Sequence, residues 1–105
     1  MIERLDALEE RENVRFEALS ARILPGKING LPLVQVCGEI HARDGLEIAY
    51  AIKVVITVYD AQGKMLDIHS FWFKPEKFYG FEAFSNLFVS ITDPIGKIRV
   101  YPQRA

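Results

Sequence analysis

Three side chains able to ligate a metal or act as nucleophile and base stand two residues apart in one run: Cys37, Glu39 and His41. Positions i, i+2 and i+4 of an extended strand point to one face, so the three share a surface opposite Val34, Val36 and Ile40. Adding His69 from a separate segment completes a thiolate, carboxylate and imidazole set of the kind that holds Zn²⁺. Read as a catalytic thiol, the same atoms need Cys37 within hydrogen-bond reach of His41 or His69, an oxyanion donor and a third orienting group. Cys37 and His41 lie about 13 Å apart along a strand, and no motif supplies the other parts. Structural zinc sites bring more Cys and His than this. The plainer expectation is a solvated strand face that carries a small thiol, with no metal and no cofactor.

Other chemistries find less support. The seven glycines are scattered singly among turn signals, and none forms a phosphate-cradling loop ahead of a helix. Nucleic-acid binding needs clustered Lys and Arg with stacking aromatics. The nearest approach is Lys74, Lys77, Phe78 and Tyr79, in a chain whose 13 basic and 14 acidic side chains leave a net charge of −1. That balance predicts neither a nucleic-acid partner nor attachment to an anionic membrane.

The aromatic residues are unevenly placed: Phe71, Trp72, Phe73, Phe78, Tyr79, Phe81, Phe84 and Phe88 all fall between positions 71 and 88. Neighbours on a strand face opposite ways, so Trp72 cannot share a side with Phe71 and Phe73. A large apolar group is therefore left outside any core that takes its neighbours. Either the N-terminal segment and the 74–80 loop cover it, or Trp72, Phe78 and Tyr79 form an exposed surface for a protein partner or for a homodimer.

The elements that must position these residues are strands. Ile48, Tyr50, Ile52, Val54, Ile56 and Val58 recur at period two and predict a long strand over 48–59. Asp60, Ala61, Gln62 and Gly63 then turn the chain into a hairpin. Similar alternation predicts strands over 34–41, 66–73, 79–91 and 97–101, with Pro75 and Pro94 as breaks. The last strand is expected at a sheet edge, short and protected by Arg99. Val14, Phe16 and Ala18 alternate with Arg15, Glu17 and Leu19 and read as a strand ending at Leu24, Pro25 and Gly26, although Phe16, Leu19 and Ile23 also suit a helix. Lys27, Ile28, Asn29 and Gly30 read as a loop. Residues 1–12 form a tail or a short amphipathic helix, and 13–105 one domain. Six to seven strands without a helical crossover predict an antiparallel two-sheet β-sandwich.

The run Val36, Cys37, Gly38, Glu39, Ile40, the strand 52–58, the turn Tyr59, Asp60, Ala61, Gln62, Gly63, Lys64, and the later Gly80, Phe81, Glu82, Ala83, Phe84 together resemble the FxLYD-type family of bacterial immunoglobulin-like β-sandwich domains. The resemblance covers 34–91. Tyr59, Asp60 and Gly63 match its pattern, while Ile56 and Val58 replace the Phe and Leu that name it. It implies an immunoglobulin-like sandwich and no catalytic residues.

A single cysteine cannot form an intramolecular disulfide, and the charged start of the chain lacks the apolar run of a signal peptide. Lys53 and Thr57 interrupt the longest apolar stretch, well short of the roughly 20 residues of a spanning helix. A cytoplasmic setting follows as the expectation. The function expected is that of a non-catalytic interaction module, working through an aromatic face or an edge strand. The alternative is a small metal-binding or thiol-dependent enzyme built on Cys37, Glu39, His41 and His69.

Overall fold

Alternating apolar residues bury one side of each extended segment, and two sheets form to cover those sides. The computed structural model describes residues 2–28, 31–89, 91 and 93–105, with the side chains of 25–32 outside the description. In chain order the elements are β1 (Ile2–Arg4), α1 (Asp6–Arg11), β2 (Val14–Ile28), β3 (Leu31–Ala42), β4 (Ile52–Asp60), β5 (Met65–Phe73), a 3₁₀ turn (Pro75–Lys77), β6 (Phe81–Phe88) and β7 (Ile95–Arg104). One sheet has the order β1-β7-β4-β5 and the other β2-β3-β6. The described residues form an all-β sandwich of seven strands with one short helix. Ile40, Ile52, Val54, Ile56, Val58, Ile98 and Val100 are almost fully buried between the sheets.

The hairpin after β4 forms as its turn residues predict. Asp60 Oδ1 accepts hydrogen bonds from the backbone N–H of Gln62 and Lys64, and Gly63 takes φ +87°. Alternation over 48–59 overstates the strand, which begins at Ile52. Residues 43–51 carry the chain from one sheet to the other and lie outside both strand ladders, although Ile48 still reaches the core. At the other end of the chain's aromatic stretch, β6 spans Phe81–Phe88 rather than 79–91. Position 90 of that expected strand lies outside the described residues.

Of residues 13–24, Asn13 lies in the turn after α1 and 14–24 are strand, not helix; the strand continues to Ile28, which pairs with Leu31. Asn29 and Gly30 of the expected loop lie outside the described residues. The competing helical spacing has a local cause. Between Glu17 and Ser20 a bulge inserts one extra residue, with Ala18 at φ +55°, so inward positions change from Val14 and Phe16 to Leu19 and Ala21. Leu19 then lies over Gly38, where a Cβ would stand 2.5 Å from Leu19 Cδ2 and 2.9 Å from Phe84 Cζ. Only glycine leaves room for both.

Two expectations are corrected at the N-terminal flank. The sandwich is not wholly antiparallel, because residues 2–4 form β1 and pair in parallel with β7. The last strand is therefore no edge: β7 runs ten residues between β1 and β4. The reason is chemical. Arg99, expected to guard an edge, pairs with Glu3 across the strands, and half-buried Ile2 packs on the core. Behind β1, α1 brings Glu9 into the interior, where Arg4 donates to both carboxylate oxygens at 2.7 and 3.2 Å and the Phe16 N–H donates at 2.9 Å. Glu12 is also buried, and it accepts the Tyr50 hydroxyl at 2.6 Å.

Candidate functional site

The outer face of the three-stranded sheet carries Cys37, Glu39 and His41 side by side, as their spacing predicts, and β2 and β6 complete their surroundings. Glu17 is directly opposite Glu39, Ser20 opposite Cys37, and Ser85 and Phe81 opposite Cys37 and His41 on the other side. Like charges facing one another across strands repel. His41 relieves this pair, its Nε2 lying 2.9 Å from Glu39 Oε1 and 3.0 Å from Glu17 Oε2, with its ring stacked on Phe81 at 5.1 Å. Among the described residues these three side chains bring one ligand atom each to within 4.8 Å of one another, close enough to face one divalent cation.

The expected four-residue set does not assemble. Cys37 is half-buried, with Sγ 3.4 Å from Ser85 Oγ, beside a shallow depression of about 410 Å³ floored by Ala18, Gly38 and Ala83. His69 stands on β5 in the other sheet, edge-on to Phe71 at 4.7 Å. The sulfur's neighbour is a hydroxyl, and among the described residues no imidazole stands beside the thiol as a base. Glu17 is the member that sequence spacing missed. Its place opposite Glu39 depends on strand register, which no local pattern records.

The second surface lies at the join of β5 and β6. Trp72 is 62% exposed and Tyr79 82%, so neither the N-terminal segment nor the 74–80 loop covers them. Phe78 corrects the expected trio. It is 3% exposed and packs edge-to-face on Phe73 at 6.3 Å, closing the core where the 3₁₀ turn carries the chain between sheets. Phe81, 53% exposed, opens β6 on the other sheet, its ring stacked on His41. Lys53 Nζ sits 5.7 Å from the Trp72 ring centroid. Between the ends of the strands is a cleft of about 240 Å³ with Phe73 and Phe78 behind it, Trp72 beside it, and Lys74, Lys77 and Glu82 around it.

Both strands are sheet edges. Among the described residues β5 pairs only with β4 and β6 only with β3. β6 has no proline and no break in its register with β3, and its outward side chains, Phe81, Ala83, Ser85 and Leu87, are uncharged. These are the features that other edges lack when they resist pairing. Compared with protein-family models, curated proteins and solved structures, the chain finds no match. Among the described residues no helix is long and apolar enough to cross a membrane.

Proposed function

We propose that the chain is a non-catalytic interaction module that engages a protein partner, or a second copy of itself, through the aromatic surface and open edge of the β5–β6 flank. One observation carries this reading: Trp72, Tyr79 and Phe81 are all more than half exposed beside two unpaired edge strands. Large aromatics at a desolvatable surface are the residues that dominate binding energy, and unpaired edges supply a main-chain template. The resemblance of 34–91 to the FxLYD-type family supports an immunoglobulin-like assignment, and a single half-buried thiol suits a reducing, cytoplasmic compartment. Affinity capture from a native lysate, run beside sedimentation velocity of the chain alone, tests the reading. Trp72→Ala should lose a partner or lower self-association. Identical behaviour of wild type and variant in both measurements would overturn it.

The convergence of Glu17, Glu39 and His41 favours a second reading, a divalent cation held on the outer face of the other sheet. It transfers the expected metal chemistry to a set without His69. Calorimetric titration with Zn²⁺ should give one site that Glu17→Gln weakens at least about tenfold; heat that is unchanged in the variant removes it.

A further inference from the structure

The cleft between β5 and β6 combines a size, a charge and a location that together specify an occupant. At about 240 Å³ it is smaller than the roughly 300–1,000 Å³ of small-molecule pockets, and it suits one large side chain. Phe73 and Phe78, 8% and 3% exposed, give it a packed apolar back, and Trp72 gives it a wall. Lys74 and Lys77 outnumber the one carboxylate, Glu82, and among the described residues neither lysine takes part in an ion pair. Glu82 belongs to β6, so the cleft adjoins the free edge of that strand.

A strand added along β6 would satisfy its unpaired N–H and C=O groups and set alternate side chains on the face that carries Glu82, Phe84 and Asn86. The side chain beside Glu82 would enter the cleft. We propose that this cleft is the specificity pocket of a strand-addition site, whose occupant is an extended segment of another protein with a large apolar residue and, two positions to either side and so on the same face, acidic ones. The inference rests on the interaction-module reading and gives it a ligand chemistry. Main-chain pairing provides affinity without sequence preference, and the two lysines select against a basic segment.

Trp72 is the chain's single tryptophan, so its emission reports on this cleft alone. The probe is an N-acetylated, C-amidated hexapeptide, Thr-Glu-Val-Phe-Val-Glu, which sets both Glu on the face of the Phe, titrated into the full chain beside versions with Lys for both Glu or Ala for Phe. The acidic peptide should shift Trp72 emission saturably, at least about tenfold more tightly than the Lys version, and weaken as salt rises from about 50 to about 500 mM. Lys74→Glu with Lys77→Glu, both at exposed positions, should reverse the preference with the far-UV circular dichroism unchanged. Equal binding of the acidic and basic peptides, equal binding of the Phe and Ala peptides, or no shift up to millimolar peptide overturns the proposal. If the peptides fail while lysate capture or sedimentation still depends on Trp72, strand addition alone is lost. If both fail, the interaction reading falls with it.

Discussion

The two flanks of the sandwich solve the same problem in opposite ways. At the N-terminal flank, β1 extends one sheet, α1 lies behind it, and the acids brought inward are satisfied: Glu9 by Arg4 and the Phe16 N–H, Glu12 by Tyr50. At the other flank β5 and β6 end their sheets without a neighbour, and Trp72, Tyr79 and Phe81 face solvent. Residues 2–12 move the edge of the four-stranded sheet from β7 out to β1 and pack α1 against β2 and β7. Both flanks end in edge strands, β1 and β2 on one side and β5 and β6 on the other, and the difference lies in what stands beside them: α1 with its satisfied acids, or exposed aromatics. Charge follows the same division, with partnered ions on the N-terminal flank and, around the cleft, two lysines that take part in no ion pair among the described residues.

The sharpest test of that contrast is within the open flank itself. Phe78→Ala should destabilise the fold by about 3–5 kcal/mol in urea titration, as expected for a buried ring that leaves a cavity. Trp72→Ala, only six positions away, should cost under about 1 kcal/mol, the scale of an exposed cation–π contact with Lys53. Equal losses would mean that Trp72 is structural and that the flank is not open.

On the closed flank, Glu9→Ala leaves Arg4 without its partner and the buried Phe16 N–H without an acceptor. A loss of about 2–3 kcal/mol is expected in the same titration, with greater hydrogen exchange in α1 and β1 than in β5. A smaller effect comes from pH. The Arg99 hydrogen bond holds Glu3 below its ordinary value of 4.5. A carboxylate lowered on folding contributes stability above its unfolded value and loses it as pH falls through the folded one. Acidification below about 4.5 should therefore loosen β1 from β7 first, seen as faster exchange of β1 amides, while the β4–β5 pairing persists. Smallest of all, Cys37→Ser should change stability by no more than about 0.5 kcal/mol and leave Trp72-dependent binding intact. A loss of binding there would relocate the working surface to the polar face.

Legibility differed between the two surfaces for a physical reason. Cys37, Glu39 and His41 share a face because a strand repeats every two residues, a property readable from one segment. Glu17 joins them only through register across a bulge at Ala18, and Phe78 leaves the aromatic surface because its turn folds inward onto Phe73. Neither depends on local pattern. The same holds for β7, whose composition suits an edge or an interior equally until Glu3 finds Arg99.

Alternation and turn chemistry alone thus determined that this chain is β-rich, where its hairpin turns, and which side of each main strand is apolar. The short-range sterics and hydrogen bonding behind those features act within a few residues. Which strands lie at the edges, which acids meet, and which aromatics remain in solvent were decided only in the assembled sandwich. Those outcomes depend on contacts between residues far apart in the chain, and alternative pairings of similar strands are indistinguishable from one segment at a time.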